Sequence, residues 1–229
     1  MCSVIGAIIK EPRAEDFLML HRVFLESKIR GMHATGISYV KHGKIITEKR
    51  PVPADEFPFN FPSYVNEDGS LYLIGHCRYS TSDLEFNQPI ANENVSVVHN
   101  GVITQELYED WELLHGYKCE GKNDTELLLR SLEHYSPLQH WKLSSLAVIE
   151  LHTDKRIRFY RNGKRPLYLT SISNGCIITS TADVPKRAEV PGFPINTLMN
   201  HYITFDDQLA MTIEREVIED EVDLQYEFC

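Results

Sequence analysis

Apolar positions along the chain follow two spacings, one typical of strands and one typical of helices. A nearly continuous apolar run, SVIGAII, begins directly after Cys2 and predicts a buried strand. The next stretch carries Phe17, Leu20 and Phe24 near helical spacing. This second pattern predicts a helix over residues 14–29, so the chain opens with a strand followed by a helix.

The middle of the chain alternates between strand and helix signals. Residues 36–41 and 44–49 flank the turn KHGK and predict a hairpin, which a proline-rich loop, RPVPADEFPFNFP, follows. Two further apolar runs, LYLIGHC and VSVVHNG, predict strands. The segment 104–115 predicts a helix with Thr104 as its cap.

A second helix is predicted from a capping pattern. Asn123 is followed three residues later by Glu126, which indicates a capping-box start for a helix that runs to about residue 135.

The second half of the sequence changes to short strands. The apolar segments LSSLAVIEL, RIRFYR, RPLYLTSI and GCIITST are separated by the turn signals HTDK, RNGK and SNG. This order predicts an antiparallel meander, and with the helices it predicts an α+β fold of packed sheets covered by helices. We expect a single domain over residues 1–229, with a core at about 2–206 and an acidic tail at about 216–229.

Composition and charge narrow the class of protein. The 229 residues are 42% hydrophobic and 24% charged, as in ordinary globular proteins, and the formal net charge of -10 argues against a nucleic-acid-binding surface. The five cysteines include no C-x-x-C pair, so we expect reduced thiols. The apolar start is too short for a secretory signal or a membrane span, so we expect a cytoplasmic protein with a small-molecule or protein partner.

Cys2 is a candidate nucleophile because of its position. A small residue at position two usually lets Met1 be trimmed, and the mature chain would then begin at Cys2 with a free α-amine. This amine, with an ordinary pKa of about 7.7 to 8.0, can deprotonate the thiol of its own residue. The alternative is that Cys2 is a small structural residue near a strand end.

Three downstream segments carry groups that suit one substrate. Arg78 and Thr81 follow a strand, where they can bind a carboxylate, and Asn100-Gly101 can offer two N–H groups to a developing oxyanion. Asp124 stands in the first turn of a predicted helix and can meet an ammonium group. Each also has a structural alternative, namely a surface cation, a hairpin turn or a helix-start residue.

Taken in order, seven segments resemble class II glutamine amidotransferase domains of the N-terminal nucleophile hydrolase superfamily. That family has an MCGI-like start, an RGxDSAG-like loop, GHxRYxT, a QPF-like step, HNG, SDTE and a late RDxxGxRPL. The corresponding segments here are MCSVIGAI, RGMHATGIS, GHCRYSTSD, NQPI, VHNGVI, NDTELLL and RNGKRPLYL.

The resemblance implies a four-layer αββα sandwich of two antiparallel sheets and hydrolysis of the side-chain amide of L-glutamine. Carried over by motif, Cys2 would be the nucleophile, and Asn100 with Gly101 would form the oxyanion hole. The substrate would be held by four further residues, with Arg78 and Thr81 at its carboxylate, Asp124 at its ammonium and Arg30 beside the nucleophile. The family implies no metal and no cofactor.

Two features depart from the family pattern. His33 stands where the family loop carries Asp, and we expect it on the surface rather than as a group that retunes the pocket. His76 and His99 lack metal-helix spacing, so we interpret them as structural. The second departure is that the chain has no room for an acceptor domain, which predicts a free-standing glutaminase subunit with a separate synthase partner.

Two other functions remain open. The first is an amidohydrolase of the same fold that acts on another γ-glutamyl or linear amide. The second is a catalytically silent binding module, which would follow if Met1 is retained.

Overall fold

The computed structural model describes residues 2–79 and 86–218. Over these residues, thirteen strands form two antiparallel sheets. In chain order they are β1 (Ser3–Lys10), β2 (Ala34–Lys41), β3 (Lys44–Arg50), β4 (Ser70–Arg78), β5 (Ile90–Ala91), β6 (Val95–His99), β7 (Ala147–His152), β8 (Ile157–Arg161), β9 (Tyr168–Ile172), β10 (Gly175–Thr179), β11 (Ile195–Asn196), β12 (His201–Phe205) and β13 (Met211–Arg215).

Six α-helices lie between the strands of the described part of the chain, and only the first of these six is long. They are α1 (Ala14–Lys28), α2 (Phe61–Tyr64), α3 (Trp111–His115), α4 (Thr125–Ser131), α5 (Pro137–His140) and α6 (Asp183–Arg187). A 3-10 turn, Tyr108–Asp110, leads directly into α3.

The two sheets have the strand orders β11-β9-β10-β1-β4-β2-β3 and β13-β12-β8-β7-β6-β5. Within the first sheet, β1 lies between β4 and β10, so both edges of this apolar strand are paired. Its side chains alternate, because Val4 and Ile8 face the second sheet whereas Ile5 and Ile9 face the helices. Burial on both faces explains why the sequence of β1 is apolar without interruption.

Packing defines four layers. One buried cluster lies between the sheets and includes Ile74 and Phe159. A second cluster packs α1, α2 and α6 on the outer face of the first sheet, and a third packs α3, α4 and α5 on the outer face of the second. The predicted αββα sandwich of two antiparallel sheets is therefore confirmed. No helix within residues 2–79 and 86–218 is long and apolar enough to cross a membrane.

The helix predicted over residues 104–115 begins later than expected. The side chain of Thr104 accepts a hydrogen bond from the N–H of Glu106 at 3.2 Å and does not cap a helix. The carbonyl of Glu106 is in turn occupied by the indole N–H of Trp111 at 3.1 Å. These local contacts hold residues 104–107 outside the helix, and only the second half of the prediction is correct.

The predicted capping box at Asn123 is wrong, although a helix does begin there. Asn123 accepts the N–H of Thr125, but the carboxylate of Glu126 bonds the N–H groups of Glu120 and Gly121 instead of reaching back to Asn123. This helix, α4, ends at Ser131 and not at 135.

Two predicted strands also begin late. The strand predicted from Leu143 starts at Ala147, and the one predicted from Arg165 starts at Tyr168. The hairpin around KHGK is confirmed as β2 and β3. The hairpin of β12 and β13 continues the second sheet beyond residue 206, and most of the predicted acidic tail lies outside the described residues.

Candidate active site

Strand pairing brings the start of β1 next to the end of β4. Ser3 pairs with Cys77 on β4, and Ala34 on β2 pairs with Arg78. Because β1 and β4 are antiparallel, the start of β1 at Cys2 and the end of β4 at Arg78 lie at the same end of the first sheet.

The second sheet contributes the end of β6. The side chain of Gln88 bonds both backbone groups of His99, accepting its N–H at 2.6 Å and donating to its carbonyl at 3.1 Å. Asn100 continues the ladder through its N–H, which donates to the carbonyl of Ala147 at 2.9 Å. Asn100 and Gly101 therefore leave the sheet in a fixed position.

A cavity of about 340 Å³ lies between these strand ends. Four of the predicted site residues line it together, namely Cys2, Arg78, Gly101 and Asp124. Their convergence from β1, β4, β6 and α4 was not visible from the spacing of the motifs. Thr81 lies outside the described residues.

The contacts of Cys2 connect it to its neighbours on the first sheet. Its Sγ lies 3.8 Å from the carbonyl oxygen of Tyr79, and its own carbonyl accepts a hydrogen bond from Nε of Arg30 at 3.2 Å. Arg30 reaches this position because Gly31 packs directly on β4, where an added Cβ would lie 2.2 Å from the carbonyl oxygen of Cys77. The predicted place of Arg30 beside Cys2 thus has a steric basis.

Two N–H groups at the end of β6 have no acceptor among the described residues. Nδ2 of Asn100 is buried without a hydrogen-bond partner in the described part of the chain. The backbone N–H of Gly101 likewise makes no hydrogen bond to a described residue. A side-chain amide N–H and a backbone N–H without protein acceptors are the kinds of donor that an oxyanion hole uses.

Position 101 tolerates only glycine for a reason other than turn geometry. An added Cβ would lie 1.8 Å from the carbonyl oxygen of Ser145 and 2.5 Å from Nε2 of His99. The Asn-Gly pair is not a hairpin turn between strands. After Gly101 the chain continues past Ser145 before its next strand, β7, begins at Ala147.

Arg78 and Asp124, the two charged residues among the four predicted ones that line the cavity, also hydrogen-bond to neighbouring segments of the cavity wall. Nη1 of Arg78 donates to the carbonyl of Phe86 at 2.9 Å and to Oδ1 of Asn87 at 2.8 Å. The carboxylate of Asp124 accepts the N–H of Ile103 at 2.7 Å. Both residues therefore have a structural role whether or not they bind a substrate.

Burial changes the protonation of the two histidines in the cavity. Desolvation, together with the nearby positive charge of Arg78, lowers the pKa of His76 to about 3. Desolvation also lowers the pKa of His99, an effect that Asp124 opposes. Both imidazoles are consequently neutral near pH 7. The same desolvation lowers the pKa of Arg30.

Tyr79 lines the cavity and was not predicted as part of the site. His33 is half-buried, and its ring lies 4.8 Å from that of the exposed Tyr79, so its expected surface position stays a prediction. The positive charge of Arg165 contributes to lowering the pKa of both Arg30 and His99. Its place in RNGKRPL, the last of the matching segments, was the available signal.

His76 and His99 line the cavity rather than serving only as structural core. Within residues 2–79 and 86–218, no group of three or more His, Cys, Asp or Glu side chains could hold a metal ion.

A comparison with known families matches residues 63–211 to a family described as glutamine amidotransferase domain. This match covers more than half of the chain. The chain therefore belongs to the class II glutamine amidotransferase domains, enzymes of the N-terminal nucleophile type whose nucleophile is an N-terminal cysteine.

Curated relatives match over part of their length. Glutamine–fructose-6-phosphate aminotransferase of Clostridium tetani is 31% identical over 145 residues, which are 59% of this chain and 22% of the relative. The enzyme of the same name from Neisseria meningitidis is 30% identical over 139 residues, or 58% of this chain and 22% of the relative. The match thus spans about a fifth of the length of these relatives.

Solved structures share the fold. Glutamine phosphoribosylpyrophosphate amidotransferase from B. subtilis superimposes with a TM-score of 0.73 at 20% identity, covering 93% of this chain and 49% of that chain. A glutamine aminotransferase class-II domain protein from Silicibacter pomeroyi gives a TM-score of 0.57 at 14% identity, covering 94% of this chain and 100% of that chain.

Proposed function

We propose that the chain hydrolyses the side-chain amide of L-glutamine through a thioester on Cys2, giving glutamate and ammonia for an acceptor enzyme. The observation that carries this proposal is the cavity that Cys2, Arg78, Gly101 and Asp124 line together. Free glutamine has one amide, one carboxylate and one ammonium group, and these residues offer one complement for each.

In the first half-reaction, the α-amine of Cys2 takes the thiol proton once Met1 has been removed. The thiolate attacks the carboxamide carbon, and a C–S bond forms while the carbonyl oxygen becomes an oxyanion. Nδ2 of Asn100 and the N–H of Gly101 stabilise this charge. The protonated amine then gives its proton to the leaving nitrogen, the C–N bond breaks, and ammonia departs.

The second half-reaction releases glutamate. The α-amine of Cys2 removes a proton from water, whose oxygen attacks the thioester carbon. The C–S bond breaks, and the thiolate of Cys2 takes back the proton. No metal or cofactor enters either step.

Substrate recognition depends on charge. The guanidinium of Arg78, together with Thr81, would hold the α-carboxylate, and Asp124 would hold the α-ammonium. Arg30 would keep the backbone of Cys2 in place through its hydrogen bond at 3.2 Å. Retaining both Arg78 and Asp124 favours a free amino acid over another γ-glutamyl or linear amide.

The test is the intact mass of the purified protein before and after exposure to a diazo-ketone analogue of glutamine. We expect a mass without Met1 and one adduct that is absent in Cys2→Ala. A retained Met1 with no adduct would contradict the proposal and favour a binding module. An adduct formed without glutamine turnover would favour an amidohydrolase with another substrate.

A substitution at Asn100 tests the proposed oxyanion donors separately. Asn100→Ala should lower turnover of glutamine about 100-fold or more, because one donor to the oxyanion is lost. Asn94→Ala removes an exposed amide from the loop before β6 and serves as the control. Wild-type turnover in Asn100→Ala would mean that the oxyanion assignment is wrong.

We further propose that a separate synthase subunit in the cytoplasm receives the ammonia and docks over the cavity. Tyr79 and Val102 line the cavity and are 49% and 39% exposed, so a partner would cover them. A reducing compartment suits the reaction because the nucleophile is a thiol. Failure to recover a complex by pull-down with neighbouring gene products, with unchanged glutaminase rate in their presence, would count against a separate partner.

A further inference from the structure

Ser145 makes three of the contacts that hold the turn over residues 99–103, which carries the proposed oxyanion donors. Nε2 of His99 lies 2.8 Å from the carbonyl oxygen of Ser145, and the N–H of Val102 donates to Oγ of the same serine at 2.8 Å. The N–H of Ser145 returns a hydrogen bond to the carbonyl of Val102 at 3.0 Å. Ser145 thus contacts the turn on both sides of Gly101.

These contacts fix the peptide groups that flank the proposed donor. The N–H of Asn100 is bound to the carbonyl of Ala147 at 2.9 Å, and the N–H of Val102 is bound to Oγ of Ser145. The N–H of Gly101 lies between these two fixed peptide groups. Because glycine has unusual backbone freedom, anchors on both sides restrict the direction in which this N–H points.

Close packing adds to the hydrogen bonds. The carbonyl oxygen of Ser145 lies where a Cβ of Gly101 would be, at 1.8 Å. The same oxygen can only accept, so Nε2 of His99 carries the proton. Gly101 and His99 are therefore both placed by one carbonyl group.

Ser145 is itself held firmly. The side chain of Asn162 donates to the carbonyl of Ser144 at 2.8 Å and accepts the N–H of Leu146 at 3.1 Å. These bonds fix the residues on each side of Ser145. The turn that follows β8 therefore supports the segment that supports the oxyanion donors.

We propose that Ser145 is a positioning residue for the oxyanion hole and that its hydroxyl raises kcat by fixing the peptide group after Gly101. This role rests on the proposed hydrolysis of glutamine. It assigns Ser145 no contact with the substrate, because its hydroxyl acts on the N–H of Val102. The hydroxyl should accordingly affect kcat and leave KM nearly unchanged.

The test compares kcat and KM for glutamine in Ser145→Ala, Ser145→Cys, Ser145→Thr and Ser144→Ala. We expect Ser145→Ala to lower kcat about 10- to 100-fold, since small misplacements of catalytic groups have effects of this order. KM should change less than about threefold, because ground-state binding does not use this hydroxyl. Ser145→Thr keeps the hydroxyl and should recover most of kcat.

Ser144→Ala is the matched control. Its hydroxyl is buried and donates to the carbonyl of Ile103 at 2.6 Å, two residues beyond Gly101. We expect a smaller loss of kcat in this variant than in Ser145→Ala, because its contact lies farther along the chain from the N–H of Gly101. If Ser145→Ala does not fold, Ser145→Cys replaces it, because a thiol is nearly as small but a weak acceptor.

The outcomes separate the two proposals. A wild-type chain that does not hydrolyse glutamine would overturn the proposed function and this role with it. An active wild type whose Ser145→Ala or Ser145→Cys variant keeps kcat would overturn the role of Ser145 alone. Equal losses in the Ser144 and Ser145 variants would also overturn it, because the effect would then be general to the segment.

Discussion

The carboxylate of Asp124 accepts a hydrogen bond from the backbone N–H of Ile103 at 2.7 Å. Asp124 lies at the start of α4, and Ile103 lies at the end of the turn that contains Gly101. A residue proposed to bind the substrate ammonium therefore also fastens the proposed oxyanion segment. The two roles can be separated by the choice of substitution.

Asp124→Asn should raise KM for glutamine about 10- to 100-fold, the range expected when a hydrogen bond to a charged group is lost. The amide oxygen of Asn can still accept the N–H of Ile103, so kcat should fall much less. Asp124→Ala removes both interactions and should lower kcat as well. Steady-state kinetics of the two variants test this, and equal KM values in wild type and Asp124→Asn would disprove the ammonium contact.

Gly101→Ala should abolish most of the activity because its Cβ would overlap the carbonyl oxygen of Ser145. Gly163→Ala is the comparison, since its Cβ would meet only the thioether sulfur of the flexible Met199 side chain, at 3.0 Å. We expect at least about a 100-fold loss of turnover in Gly101→Ala, as for loss of an oxyanion donor, and a small change in Gly163→Ala. Comparable turnover in both variants would show that the close contact at Gly101 is unimportant.

A buried ion pair on the outer face of the second sheet predicts a large effect on stability. Glu150 is fully buried, and its carboxylate accepts two hydrogen bonds from the guanidinium of Arg158, at 2.8 and 3.0 Å. Nε2 of His152 also lies 3.0 Å from this carboxylate. Arg158→Met should lower the free energy of unfolding by about 3 to 5 kcal/mol, because a buried carboxylate would lose its main partner. Denaturant unfolding measures this directly.

The double variant Glu150→Met/Arg158→Met is the control for that measurement. It leaves no unpaired charge and should recover most of the lost free energy. A double variant as unstable as Arg158→Met would mean that packing, and not the unpaired carboxylate, causes the loss. Turnover per folded molecule should stay near wild type in both, because the pair does not line the cavity.

The pH dependence of stability should report the buried histidine of the cavity. His76 has a pKa of about 3 when folded and about 6.5 when unfolded, so between these values the unfolded chain binds more protons. The free energy of unfolding therefore rises with pH over this range, and falls as the solution is acidified below about pH 6.5. The contribution is up to about 1.4 kcal/mol per pH unit.

His76→Gln should flatten this dependence, whereas His134→Gln, at an exposed position, should not. Unfolding free energies measured from pH 4 to 7 make the comparison. An unchanged slope in His76→Gln would show that His76 is protonated in the folded protein. His99, whose pKa burial also lowers, contributes a slope of the same sign that both variants retain.

The strands were easier to predict from the sequence than the helices. β1 and β6 are buried on both faces, and their sequences, SVIGAIIK and VSVVH, are mostly apolar for that reason. The helix expected from Thr104 failed because one side-chain contact with Glu106 outweighs local helix preference. The signal for a helix cap and the signal for such a turn use the same residue types.

Site residues could be predicted from the sequence only where they belong to a recognisable motif. Cys2 and Gly101 belong to recognisable segments, but nothing in those segments shows that Ser145 lies against Gly101. That contact joins residues 44 positions apart in sequence, and it depends on the pairing of β6 with β7. Neither periodicity nor composition encodes such a contact, since serine is common in loops of every kind.

The proposed nucleophile and the proposed oxyanion donors come from different sheets. Cys2 precedes β1 in the first sheet, whereas Asn100 follows β6 in the second. If the apolar cluster between the two sheets opens, Cys2 and Asn100 move apart with their sheets. Activity should thus vanish at denaturant concentrations no higher than those at which the tryptophan fluorescence changes, which makes glutamine turnover a sensitive gauge of whether the sandwich is closed.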